Sequence, residues 1–296
     1  MNKIVFIGSV EFSAKALKRI VDAGGNVVAV ISREDTGFNS DYANLQPVAQ
    51  KMGIDYYTHN NINSKESIET IQSYQPDLIC CFGWSYLLKR QLLNIPRIGV
   101  LGYHPSALPL NRGRHPNIWA MVLGLHETAS SFFMMEEGAD TGDIVSQEKI
   151  KIEYQDNARS LYDKTSKVAL SQITHIVKEF NLKGDLPKRK QDHSLANTWR
   201  KRSAVDGQID FRMSKRAIYN LVRAISEPYP GATIQHKNGE MIVYKCEELD
   251  NEQSNYEHGK VLEVAEDSFT VKCYDGAVKF TRFELNGVDI SNIEYF

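Results

Sequence analysis

Residues 3–8 read KIVFIG, a run of β-branched and aromatic residues closed by glycine, and a helical stretch follows directly. Over 11–23 the apolar residues Phe12, Leu17, Ile20 and Val21 recur near helical spacing. The exchange repeats downstream: NVVAVI at 26–31, a helix near 45–52, a strand at 54–57, a helix near 65–74 and DLICCF at 77–82. Strand and helix alternating at this interval imply right-handed βαβ units, and hence a parallel sheet with helices on both faces. The expected fold class is α/β, a doubly wound, mostly parallel Rossmann-like sheet. A fifth strand, GVLGY at 99–103, ends on His104-Pro105. Beyond it a helix is expected near 117–123, strands at 129–135 and 143–152, and a long helix at about 158–180. Ligands of open α/β sheets bind outside the carboxyl ends of the strands, which places His104 well for chemistry.

Composition changes at Asn181. From Lys183 to Arg202 seven basic residues stand against two acidic ones, with Pro187 and no apolar periodicity, which reads as an exposed linker. Ser214 can cap a helix over about 215–225 whose Ile218, Leu221, Val222 and Ile225 share one face. Five short strands separated by turn signals follow, as expected of a small OB-like β domain. The expected division is a catalytic domain at 1–182, a linker at 183–204 and the OB-like domain at 205–296.

Bulk properties narrow the class. The 296 residues carry 35 Lys plus Arg against 37 Asp plus Glu, a formal charge of -2, and 42% are hydrophobic, close to the globular average. The longest nearly apolar run, Leu78 to Leu88, is interrupted by Gly83 and Ser85, short of the roughly 20 residues of a membrane-spanning helix. The opening residues lack the pattern of a secretion signal, so no membrane association and a cytoplasmic location are expected. Cys80, Cys81, Cys246 and Cys273 form no CxxC pair and have no histidine at ligand spacing, so plain buried thiols and no metal site are expected.

Three stretches can carry chemistry. His104 offers an imidazole, the type of side chain suited to moving a proton at physiological pH, although a histidine in a turn can equally bond its own backbone. In Glu137-Gly138-Ala139-Asp140-Thr141-Gly142-Asp143 two glycines bracket Asp140, which can orient a histidine or simply cap its own turn. In Asn111-Arg112-Gly113-Arg114-His115-Pro116-Asn117 two arginines flank a glycine ahead of a helix N-terminus. That pattern suits phosphate or carboxylate, or solvated surface arginines.

Order and spacing join these stretches. Tyr103-His104-Pro105-Ser106-x-Leu108-Pro109, then Arg112-Gly113, then Gly138-Ala139-Asp140-Thr141-Gly142, resembles the N10-formyltetrahydrofolate-dependent formyltransferase family. The resemblance extends over most of the chain, from IVFIGSVEFS through PDLICCFGW to Val222-Arg223-Ala224 and Pro228-Tyr229-Pro230-Gly231-Ala232. It implies formyl transfer from N10-formyltetrahydrofolate to a primary amine without a metal, using an Asn-x-His pair and a distant Asp. His104 and Asp140 match the last two. The family's Asn falls on Gly102, which has no side chain to donate, so Asn111, Asn117, a backbone N–H or the Tyr103 hydroxyl is expected to support the oxyanion or orient the site. The folate is expected against Phe82, Trp84, Tyr86, Leu87, Leu88, Met135, Gly138, Ala139 and Asp140. Ser9, Arg112, Gly113 and Arg114 are expected to bind the second substrate.

That substrate is read from charge. Segment 32–42 (SREDTGFNSDY) has one Arg against three acids, and Glu247, Glu248, Asp250 and Glu252 make the C-terminal domain acidic, which speaks against nucleic acid. The string RGRHPNIWA resembles bacterial nucleotide-sugar N-formyltransferases. The expected substrate is therefore a nucleotide-linked amino sugar for surface glycans such as lipopolysaccharide. A methionyl-tRNA formyltransferase and a non-catalytic folate- or nucleotide-binding module are the alternatives. Exposed strands of the C-terminal domain would support a homodimer by edge pairing.

Overall fold

The structure is a computed structural model and describes residues 2–35, 37, 41–253 and 255–296. The opening run forms β1 (Lys3–Ile7), buried from Ile4 onward, and α1 (Glu11–Asp22) buries the face carrying Phe12, Ala16, Leu17 and Ile20. There follow β2 (Asn26–Ser32), α2 (Gln46–Lys51), β3 (Asp55–Thr58), α3 (Lys65–Ser73), β4 (Leu78–Cys81), α4 (Arg90–Leu93) and β5 (Gly99–His104). Then come β6 (Arg112–Gly113), α5 (Pro116–Val122), β7 (Glu127–Met134), β8 (Ile144–Lys151) and α6 (Ala158–Lys183). The seven-stranded sheet runs β3-β2-β1-β4-β5-β7-β8; the first five strands are parallel and β7 is antiparallel to β5.

Strand order reverses between β1 and β4, the switch point at which a doubly wound sheet opens a crevice. The junction is tied there: Ser13 Oγ donates to the Phe82 carbonyl at 2.6 Å and accepts from Val10 N–H at 3.1 Å. Central strands buried on both faces need apolar residues at every position, which is why β1 and β4 read as unbroken runs. Cys80 and Cys81 lie in that interior, and burial pushes both thiols up, away from the reactive thiolate form.

Downstream, β9 (Thr198–Trp199) pairs in parallel with β6, and α7 (Lys215–Ala224) begins where expected, with Ser214 Oγ accepting from Ala217 N–H at 3.1 Å. The strands β10 (Ala232–His236), β11 (Gly239–Leu249), β12 (Val261–Val264), β13 (Phe269–Cys273) and β14 (Gly276–Glu284) form one antiparallel sheet in the order β10-β11-β14-β13-β12. This is the small OB-like β domain.

The chain divides into two compact units that interleave along the sequence rather than meeting at one boundary. The first holds the chain up to Gly113, Ala129–Ile150 and Lys164–Trp199; the second holds Arg114–Thr128, Lys151–Asp163 and Arg200–Phe296. Residues 183–199, read above as a free linker, are thus built into the first unit. Ile144 and Arg189 exchange two backbone hydrogen bonds of 2.8 and 2.9 Å, and β9 lies along β6. Most of its side chains are exposed, as its composition implied; backbone pairing, which has no side-chain period, is what ties it to the unit.

Candidate functional site

β5 delivers His104 to the carboxyl edge of the sheet, where the ring is buried. Its Nε2 lies 2.9 Å from the Asn111 carbonyl oxygen. A carbonyl only accepts, so Nε2 carries the proton and Nδ1 is the unprotonated nitrogen of the neutral ring. Nδ1 stands 3.7 Å from Asp140 Oδ2. Side chains alternate along a strand, and Tyr103 accordingly points the other way. Its ring packs on Phe12 and Phe132 at centroid distances of 4.6 and 5.0 Å, and burial pushes its phenol up. Tyr103 is therefore not an oxyanion donor beside His104. Asn111 serves through its backbone carbonyl; its side chain is turned to Asn197, whose Nδ2 donates to Asn111 Oδ1 at 3.1 Å.

The loop after His104 is pinned from below. Ser131 Oγ on β7 donates to the Ser106 carbonyl at 2.6 Å, and Gln147 Nε2 on β8 donates to the Leu108 carbonyl at 2.9 Å. Asp140 sits in the β7–β8 connection with φ of +57°, the left-handed region that Asp and Asn enter at least cost among residues with a side chain. Asp140 Oδ2 accepts from Gly113 N–H at 2.9 Å. Two residues on, a β-carbon at Gly142 would lie 1.7 Å from the Met134 carbonyl oxygen, so only glycine lets the connection fold this closely over β7.

At Gly102, where the resemblance implies an Asn, a β-carbon would meet Met135 Cγ at 2.7 Å and the Phe133 ring at 3.0 Å. Two apolar side chains occupy the volume that an amide would need.

Arg112 departs from the expected anion site. It is buried, and its guanidinium donates to Gln191 Oε1 at 2.6 Å and His193 Nδ1 at 3.1 Å, inside the protein. Gly113 uses its N–H on Asp140, as above. Ser9 is buried at the end of β1. Arg114 and Asn117 fall in the second unit, where Asn117 Oδ1 is buried with no hydrogen-bond partner among the described residues.

In that unit His115 has its pKa lowered, first by burial and then by Arg114, Lys201 and Arg202. An unfolded histidine takes its proton near pH 6.5 and the folded one only at lower pH, so protons drive unfolding between those values. Stability at about pH 5.5 is therefore expected below that at about pH 7.5, and His115→Gln is expected to narrow the gap. Urea midpoints at the two pH values check this; an unchanged gap would discount His115 as the cause.

The expected folate surface divides in two. Phe82 and Leu88 are core: Phe82 packs edge-on against Phe6 and Phe132 at 5.8 and 5.3 Å, and Leu88 packs among Ile79, Leu92 and Val100. Neither lines a groove. Trp84 is half-buried, with its Nε1 buried and unpartnered among the described residues, while Tyr86 and Leu87 are exposed. Asn63, which sequence reasoning missed, braces this segment: its Nδ2 donates to the Leu87 carbonyl at 3.0 Å and its Oδ1 accepts from Lys89 N–H at 2.7 Å. Gly138 and Ala139 are exposed in the Asp140 loop. An indole N–H awaiting an acceptor, beside an exposed aromatic and an exposed leucine past β4, fits a flat heteroaromatic ring carrying carbonyl groups. Of segment 32–42, residues 36 and 38–40 lie outside the described residues.

The sheet is doubly wound and brings His104 and the half-buried Asp140 together past β5, and comparison gives the family. The Formyl transferase family matches residues 2–177, and the Formyl transferase C-terminal domain matches residues 201–296. The chain belongs to the formyl transferase family; it is an N-formyltransferase, and its co-substrate is N10-formyltetrahydrofolate. It is 30% identical to the methionyl-tRNA formyltransferase of Geotalea uraniireducens, over 96% of this chain and 91% of that one. It is likewise 30% identical to that of Kosmotoga olearia, over 98% and 94%. A crystal structure of the N-formyltransferase from Helicobacter canadensis, in complex with folinic acid and dTDP-3-aminofucose, aligns with a TM-score of 0.73. There the identity is 18%, over 96% of this chain and 100% of that one.

These matches overturn two expectations, the nucleotide-linked amino sugar for surface glycans and the exclusion of nucleic acid. Relatives at about 30% identity across nearly the whole chain carry the tRNA enzyme's name, whereas the sugar enzyme, at 18%, shares the fold alone. The acidic segments were weighted above the basic stretch 183–202, which was discounted as solvated. Lys188, Arg189, Lys190, Arg200 and Lys201 are exposed in a chain whose sum is negative. Among the described residues no helix is long and apolar enough to cross a membrane, and no group of three or more His, Cys, Asp and Glu is placed to hold a metal ion.

Proposed function

We propose that this protein formylates the amine of methionyl-tRNA in the cytoplasm, with His104 as proton acceptor and Asp140 as its counter-charge. The observation that carries the reading is the 30% identity over 96% of this chain to an enzyme of that name. N10-formyltetrahydrofolate supplies the formyl carbon, and Trp84, Tyr86 and Leu87 would hold its ring system. The amine nitrogen would bond to the formyl carbon, and the carbon–N10 bond would then break. Nδ1 of His104 takes the proton the amine loses, since Nε2–H stays on the Asn111 carbonyl, and returns it to N10 so that tetrahydrofolate leaves neutral. The imidazolium so formed is stabilised by Asp140 Oδ2 at 3.7 Å.

The test is incubation of the purified protein with N10-formyltetrahydrofolate and methionyl-tRNA at low and at raised salt. Formyl-methionyl-tRNA is expected. Neutralising even two phosphates should make KM for the tRNA rise by about 10-fold between about 50 and about 200 mM salt. Folate binding without formylated tRNA at either salt would reject the assignment.

A further inference from the structure

We infer that segment 191–197 is a positioning strap of the formyl-transfer site, in which Gln191 places Asp140 and Asn197 places His104. The inference rests on the roles proposed above for His104 and Asp140. Gln191 is buried and uses its whole amide on the site: Nε2 donates to the Asp140 carbonyl at 2.9 Å and the Gly142 carbonyl at 2.6 Å, and Oε1 accepts from Arg112 at 2.6 Å. The loop that these bonds grip carries Asp140 in the left-handed region, a conformation that persists only where its surroundings over-determine it.

Asn197 grips the other loop. Its Oδ1 accepts from Asn111 N–H at 2.8 Å, its Nδ2 donates to Asn111 Oδ1 at 3.1 Å, and its own carbonyl accepts from Arg112 N–H at 3.1 Å. Asn111 is also left-handed, at φ +63°, and its carbonyl receives the Nε2 proton of His104. Two amide side chains on one segment thus hold the two sides of the 3.7 Å gap between His104 Nδ1 and Asp140 Oδ2. Arg112 runs between them, bonded to Gln191 by its guanidinium and to Asn197 by its main chain. Neither amide touches the reacting nitrogen, so both act through the residues they hold.

The experiment compares Gln191→Ala, Asn197→Ala and Asn197→Asp with the unmodified full chain, using His104→Ala and Asp140→Ala to check the underlying roles of the pair. Misplacing the pair by a fraction of an ångström is expected to lower kcat by ~10–100-fold in both strap alanine variants, with KM for folate and tRNA moving by less than ~3-fold. Asn197→Asp retains the acceptor for Asn111 N–H and is expected to recover most of the loss. If Gln191→Ala does not fold, Gln191→Glu replaces it, keeping the acceptor for Arg112 while removing both donors to the Asp140 loop.

If kcat stays within ~2-fold in the strap variants while His104→Ala and Asp140→Ala are inactive, the strap is refuted and the reading of the pair stands. Lowered thermal stability with unchanged kcat, or a KM effect alone, refutes the strap in the same way. Full turnover in His104→Ala and Asp140→Ala would instead remove the reading on which the strap depends.

Discussion

His104→Ala is expected to lower kcat for formyl transfer by about 10²–10⁴-fold, the range of a positioned general base, while folate still binds. In the proposed mechanism Nε2 is committed to the Asn111 carbonyl, which leaves Nδ1, the nitrogen that faces the carboxylate, to take the proton. A neutral amine attacking a formyl carbon acquires positive charge and must shed a proton, and an imidazole can take it at neutral pH. The cation then created lies 3.7 Å from Asp140. That proximity is worth between about 1 kcal/mol in water and about 4 kcal/mol at an effective dielectric of 20. Asp140→Asn separates charge from architecture, because an amide oxygen can still accept from Gly113 N–H while the negative charge is gone. Its kcat should fall by about 5- to 1000-fold, the same interval expressed as a rate. Single-turnover formylation, read beside equilibrium folate binding, measures both variants. Wild-type chemistry in His104→Ala would require another base and would dismantle this mechanism.

The strand–helix alternation was legible because parallel strands buried on both faces leave short β-branched apolar runs, and glycines and amphipathic stretches between them mark the helices. The placement of His104 was legible for a related reason: it is a histidine at the carboxyl end of an apolar strand, where open α/β sheets bind ligands. Arg112 was misread because two arginines around a glycine look the same whether they face solvent or a buried glutamine, and only the fold reveals Gln191 behind it. Phe82 and Leu88 were misplaced by treating a stretch as a surface. Phe82 and Leu88 are buried, Trp84 is half-buried against the same core as Leu88, and Tyr86 and Leu87 are exposed, a division that no sequence period announces. The strap stayed hidden because its grip is through amides and backbone, neither of which repeats with a period. Substrate identity was misjudged differently: the acids of segment 32–42 and of 247–252 were weighted above the basic stretch Lys183 to Arg202, and charge counts do not say which face meets a partner.

Gly102→Asn, which restores the residue that the family pattern places two positions before the histidine, is expected to damage this protein. The new β-carbon would stand 2.7 Å from Met135 Cγ and 3.0 Å from the Phe133 ring, and Phe133 is buried against Leu108 and Ile144. Overpacking of this kind costs about 1–3 kcal/mol. The amide would also enter an apolar neighbourhood, and leaving it without partners adds about 1–3 kcal/mol. A total loss of about 2–6 kcal/mol is a large share of the stability of an ordinary domain. Urea unfolding should therefore show a much lower midpoint for Gly102→Asn, and kcat should fall because β5 carries both Gly102 and His104. Met135→Ala, made in the same chain, vacates the volume that the amide needs, and the double variant should regain most of the lost midpoint. Coupling between the two substitutions is the decisive quantity. Were the effects simply additive, Met135 would not be what fills the asparagine's place, and the glycine would need another explanation. With strong coupling, Gly102 and Met135 form one packing unit, and His104 Nδ1 with Asp140 operates in a site whose neighbouring position is apolar.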